Sequence, residues 1–210
     1  MAFQVNEHYV SRYPIVSRFS NYYRKKRMKR FIRSINVTES TCILDVGGLP
    51  YYWQGFPVPC KIVCLNLYDD ETPGPPNVSM CLYNGKRFPF RDKGFDVVHS
   101  NSVIEHVGDF NAQRRFAAEI MRVGKKYWVQ TPNFFFFFEP HAMFPLFQLF
   151  PPNLKLWVAR NWPKVGYSAP DLLSTQLLTA SQLRFLFPKC TIARERFIFL
   201  TKSLCASGPE

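Results

Sequence analysis

A chain of 210 residues with a formal charge of +12, 47% hydrophobic residues and 21 phenylalanines is long enough for one α/β domain around a single core, and its apolar share is ordinary for a globular protein. No run of eighteen clean apolar residues occurs, which argues against a membrane-spanning helix, and residues 1–13 lack the apolar centre of a signal peptide. The six cysteines lie beside apolar, strand-like runs and form no CxxC pair, so they read as buried free thiols of a cytoplasmic protein, with neither a metal nor a disulfide required.

Residues from about Val5 to Ile35 read as a helical lead-in. Its basic run, Arg24 to Arg30, is punctuated by Phe19, Tyr22, Tyr23, Phe31 and Ile32 at roughly helical spacing. That pattern predicts an amphipathic helix packed on the domain with a solvated basic face; contact with an anionic membrane surface is the alternative. Thr41 to Val46 predicts a buried strand ending at Gly47 and Gly48. The stretch Leu49 to Pro59 is too rich in proline and glycine for a regular helix, and Lys61 to Leu67 predicts a second strand. A Pro/Gly loop follows over Glu71 to Val78. Gly94 to Ser100 is a third strand, Asn111 to Val123 a helix, and Lys126 to Thr131 a strand stopped by Pro132. Residues 142–178, with several prolines and aromatics, predict a helical lid insertion. Ser181 to Phe187 predicts a helix capped by Ser181, and Thr191 to Phe197 with Ile198 to Ala206 a closing antiparallel pair. Alternating strands and helices predict a Rossmann-like, mostly parallel sheet covered on both faces in one domain, 1–210, with 1–40 as a basic N-terminal extension.

Open α/β sheets bind ligands beyond the carboxyl ends of their strands. The residues there are Asp45-Val46-Gly47-Gly48, Asn66-Leu67, Ser100-Asn101 and Thr131-Pro132-Asn133. The glycines let the backbone turn tightly and approach a ligand. Leu49, Pro50 and Tyr51 spoil a G-x-G-x-x-G fingerprint, and no P-loop follows, which disfavours NAD and ATP. Asp45 can face a ligand's ammonium group, and Asn66, with both donor and acceptor capacity, can read ribose hydroxyls.

These pieces occur in order with others: Ile43 to Gly48, Trp53, Cys64 to Leu67, Asn84 to Asp92, Phe95 to Val98, Ser100 to Val107, Gln130 to Asn133, Glu139 to His141 and Leu200 to Ser203. In this set the chain resembles the class I S-adenosylmethionine-dependent methyltransferases of the methyltransferase type 11 group, over roughly Ile43 to Ala206. The resemblance implies S-adenosylmethionine as cofactor. Asp45, Gly47 and Gly48 would hold its methionine part, Asn66 its ribose, and Leu67 its adenine. Asn84 beside Gly85 would stand where the family has an acidic residue at the adenine amino group, and Ser100 and Asn101 would lie under the methionine moiety. The chain departs from the family at Leu49 and Tyr51, where further glycines are usual, and at Asn66 and Asn84, where acids are usual.

The methyl group should face Ser102, His106, Asn133 and the stretch Phe134 to His141, including Phe137 and Glu139. This wall suits a planar or apolar small-molecule acceptor. Where the acceptor must lose a proton, His106 or His141 is the predicted base. The second reading is a methyltransferase-like protein that binds the cofactor without transferring a methyl group and acts as an interaction or regulatory protein. Nucleic acid is disfavoured as a partner: the N-P-P-Y motif of amino-methylating DNA enzymes is absent, and a basic helix alone is no recognition motif.

Overall fold

The computed structural model describes residues 14–69, 71–139, 141–162 and 168–209. The start of the predicted lead-in, Asp70, Pro140 and positions 163–167 of the predicted lid lie outside them. Strands β1 (Cys42–Val46), β2 (Lys61–Asn66), β3 (Val78–Leu82), β4 (Phe95–Asn101) and β5 (Gly124–Pro132) pair in parallel, in the spatial order β3-β2-β1-β4-β5. A two-stranded ribbon, β6 (Phe138–Glu139) with β7 (Phe144–Pro145), stands apart from this sheet. β9 (Leu200–Gly208) adds antiparallel to β5, and β8 (Thr191–Phe197) adds antiparallel to β9, completing seven strands. Ile43, Leu44, Ile62, Leu65, Val97 and Val98 are fully buried, as near-continuous apolar strands must be in a parallel sheet covered on both faces.

Each face has its own core. Helix α1 (Pro14–Ile35) sets Phe31 and Ile35 against Ile43, Ile62, Val97 and Trp128. Across the sheet, α2 (Phe110–Val123) presents Phe116, Ala117, Ile120 and Val123 to Leu44, Val98 and Val129. The α2 start is fixed by Asp109, whose carboxylate accepts the Ala112 N–H, satisfying one of the amides that a helix leaves open at its first turn. A basic α1 is thus also a layer of the domain, through its apolar stripe.

Between β7 and β8 run α3 (Pro152–Asn161), α4 (Ala169–Ser174) and α5 (Ala180–Leu186). Ala142, Phe147, Val158 and Leu172 form a small separate core under α3 and α4, which is how an inserted segment with few contacts to the main core holds its shape. Among the described residues no helix is long and apolar enough to cross a membrane.

Two local expectations are corrected. Residues 78–82 form a strand, where the sequence suggested a loop running to Val78. The Val-Ser-Met-Cys-Leu run is half exposed, so its pattern is weak, and its order comes from the register Ile62↔Val78 to Asn66↔Leu82 on β2. The cap of α5 is Thr179, two residues before Ser181. Thr179 accepts the Gln182 N–H, and the Gln182 side chain accepts the Thr179 N–H. This reciprocal capping box outcompetes a lone serine.

Candidate active site

Strand order reverses between β1 and β4, which opens a crevice at their carboxyl ends. The β1 end enters a turn in which Gly47 has φ +75° and a Cβ built on it would sit 2.5 Å from Val103 Cγ2. A Cβ on Gly48 would meet the Asp45 carboxylate, 1.7 Å from Oδ2. Both glycines are therefore required sterically. The carboxylate curls under the turn and is held from behind: Trp53 Nε1 donates to Oδ2 at 2.7 Å, and His99 Nδ1 lies 2.7 Å from Oδ1. His99 was not singled out from the sequence. Only the β1–β4 register, in which Asp45 pairs with His99, puts the two together; the Phe31 and Trp53 rings then enclose the imidazole at 4.9 and 5.4 Å.

At the end of β2, the Asn66 amide donates to Gly48 O at 3.2 Å and its oxygen accepts the Leu67 N–H at 2.8 Å. Asn66 thus braces the glycine turn, with one amide hydrogen and one lone pair left for a ligand. Leu67 is 47% exposed despite being apolar, and a Cβ on Gly85 (φ +77°) would stand 3.3 Å from its Cδ2, so these two residues share one apolar rim. Asn84 is exposed and its Oδ1 accepts the Lys86 N–H. Ser100, fully buried, donates to Val46 O at 3.2 Å. Asn101 Oδ1 accepts from Arg27 Nη1. Arg27 also makes a two-point contact with the buried Glu195, at 2.9 and 3.2 Å. One cation of the basic helix is therefore built into the edge of the crevice, which the helical pattern of α1 does not reveal.

The β4–β5 side is different in kind. A short 3-10 turn, Ile104–His106, follows β4. It brings His106 to His141, whose Nε2 atoms lie 3.1 Å apart with the rings nearly perpendicular. Behind them, Glu139 Oε1 lies 2.6 Å from His141 Nδ1, and Glu139 Oε2 accepts the Ala142 N–H. The Thr175 hydroxyl donates to Asp171 O and lies 3.4 Å from His106 Nδ1. Glu105, fully buried, accepts from Thr131 Oγ1 at 3.0 Å through Oε2, while its Oε1 has no hydrogen-bond partner among the described residues. Glu105 carries no motif signal of its own and was missed from the sequence; its place beside His106 in Ile-Glu-His was the available clue.

Burial, and then the His141 charge, press the His106 pKa down to about 3. Burial alone would lower His141 as well, but the charge and hydrogen bond of Glu139, with Glu105, outweigh it and raise it. Burial lifts Glu105 to about 7, against the opposing pull of His141 and Thr131. The cluster can therefore hold a proton between two imidazoles with a carboxylate behind it.

The other predicted acceptor residues have local partners of their own. Ser102 (φ +56°) donates to Gln130 Oε1 at 2.9 Å. Asn133 donates to Thr201 O at 2.8 Å, tying the end of β5 to β9. Within the phenylalanine run, Phe136 is buried while Phe135 and Phe137 are exposed.

A family model for the methyltransferase domain matches residues 64–127, from the interior of β2 to the first half of β5. No curated protein matches the chain. Among solved structures, the fold is similar to a SAM-dependent methyltransferase from Aquifex aeolicus, at 12% identity and a TM-score of 0.52 over 86% of this chain and 87% of that one. It is also similar to a SAM-dependent methyltransferase from Methanosarcina mazei, at 13% identity and a TM-score of 0.50 over 84% and 96%. A third is phosphoethanolamine N-methyltransferase 2 of Haemonchus contortus, solved with S-adenosyl-L-methionine, at 12% identity and a TM-score of 0.52 over 80% of this chain and 38% of that one. At such identities the structural likeness is one of fold. The fold is that of the class I methyltransferases, and the match to the family model covers a little under a third of the chain.

Proposed function

We propose that the protein is an S-adenosylmethionine-dependent methyltransferase that delivers a methyl group to the oxygen or nitrogen of a small-molecule acceptor. The observation that carries this reading is the turn after β1. There Gly47 and Gly48 leave room for no side chain, and the Asp45 carboxylate is pinned beneath them. Such a cradle fits the methionine end of the cofactor, with its ammonium toward Asp45, while Asn66 retains capacity for a ribose hydroxyl and the Leu67–Gly85 rim offers apolar surface to adenine. When bound, the cofactor supplies a sulfonium-activated methyl group. The chain's own residues hold it, orient the acceptor and manage a proton. Alignment supplies much of the acceleration in such a displacement. An acceptor hydroxyl would also need its proton removed, and the His106–His141–Glu139 chain is the group on that side of the crevice fitted to receive one. The aromatic surface over Phe134 to Phe138 favours a planar or apolar acceptor.

The test is a product screen with methyl-labelled cofactor across phenols, carboxylic acids and amines. Labelled product from one class is the expected result. Tight cofactor binding with no product in any class would instead support a binding protein without transferase activity.

A further inference from the structure

Beside the His106–His141 contact stands a feature that a simple proton relay does not require. His106 Nδ1 lies 3.4 Å from the Thr175 hydroxyl, and the Glu139 carboxylate accepts from His141 Nδ1. The two Nε2 atoms thus face each other at 3.1 Å, a spacing that a shared hydrogen or a metal ion can fill. What a relay leaves unexplained is Glu105 Oε1, since a fully buried oxygen with no hydrogen-bond partner among the described residues carries a desolvation penalty.

We propose that Glu105, His106 and His141 form a binding site for a first-row divalent cation, Zn2+ foremost, at the acceptor side of the crevice. One ligand atom from each residue lies within 4.8 Å of the others. Bonds of 2.0–2.2 Å in tetrahedral geometry set ligand atoms about 3.4 Å apart. The histidine pair is already near that value, and the carboxylate needs to swing by roughly 1.4 Å at most. Two imidazoles and one carboxylate are the donor set of catalytic zinc sites that keep a further position open. Glu139 behind His141 is the arrangement that orients a metal-binding imidazole and raises its basicity. His106 is only half-buried, which gives an ion access. The three ligands come from two segments 35 positions apart, so no sequence spacing announces them. The role of the metal deepens the acceptor reading and rests on it: the ion would take the place of the proton between the two rings, and its open position would hold the acceptor oxygen or nitrogen and make its proton easier to lose. Metal binding itself does not depend on that reading.

The experiment titrates chelator-stripped full-length protein with Co2+ and follows visible d–d absorption. One equivalent should give the intense bands of a four- or five-coordinate ion, and Zn2+ should displace them. Glu105→Gln and Glu139→Gln should weaken Co2+ binding about 10–100-fold, and His141→Ala should abolish it. Circular dichroism confirms that each variant is folded; should His141→Ala not fold, the two glutamine variants, which keep side-chain volume, carry the test. No bands at millimolar Co2+, bands unchanged in all folded variants, or thiolate charge-transfer bands reporting cysteine ligands would each overturn the site. Calorimetry with S-adenosylhomocysteine on the same samples reads the cofactor cradle separately. Cofactor binding without Co2+ bands removes only the metal, and Co2+ bands without cofactor binding remove only the transferase reading.

Discussion

On the β1–β2 side of the crevice, the polar side chains are tied down: Asp45 by Trp53 eight residues on and by His99 across the β1–β4 register, Asn66 by Gly48 and Leu67. On the β4–β5 side the ties are incomplete. His106 meets His141, Glu105 meets Thr131, and the Glu105 carbonyl accepts from Gln176 N–H at 2.7 Å. One side is a preformed mould whose shape follows from glycines and one pinned carboxylate. The other gathers three buried ionisable groups from separate segments and leaves one oxygen unsatisfied. A mould for one constant ligand needs its polar groups held in advance, whereas buried ionisable groups whose charges conflict are a mark of a site that does chemistry.

Substitutions should divide along this line. The largest effect is predicted for Gly47→Val, which puts a β-branched residue at φ +75° and its Cβ into Val103. Calorimetry should detect no cofactor binding, and near-normal affinity would show that the mould lies elsewhere. Next, His106→Ala should lower turnover by roughly 10²–10⁴-fold on whichever acceptor the product screen identifies. Its cofactor affinity should stay within a few-fold of the parent, and equal losses in both would erase the distinction between the two sides. Asn66→Ala should cost about 1–3 kcal/mol of cofactor affinity, through the lost brace on Gly48 and the lost ribose contact, with turnover at saturating cofactor little changed.

The smallest effect belongs to a control outside the crevice. Arg122 ties Glu119 and Asp92 to the Phe88 and Phe90 carbonyls. The Arg122 hydrogen bond holds the Glu119 pKa below its usual value. A carboxylate with a depressed folded-state pKa contributes stability that is present above its unfolded value and lost as pH falls through the folded one. Arg122→Met should therefore lower urea stability by about 1 kcal/mol at pH 7, given the partial exposure of the network. The deficit should shrink as the pH is lowered below about 4.5, the ordinary glutamate range, with cofactor affinity untouched throughout.

The difference between the two sides also governs how much was legible beforehand. The parallel strands other than β3, the glycine turn and Asn66 follow from apolar runs ending in turn residues, so their positions lie within one or two residues of those expected. His99, Glu105 and Arg27 do not follow from any local pattern. The first needs strand register, the second the packing of the inserted segment, and the third the docking of α1 beside β8 and β9. His106 and His141 stood out singly, but their meeting is a property of the fold. Strand β3 escaped because a half-exposed edge strand has a weak pattern and is ordered by its neighbour.

The central claim, that the turn after β1 is a cofactor cradle, is tested most directly by calorimetry of the full-length protein with S-adenosylhomocysteine. One site per chain, lost in Gly47→Val and weakened in Asn66→Ala, is the predicted result. No heat of binding at millimolar ligand to a folded protein would contradict it.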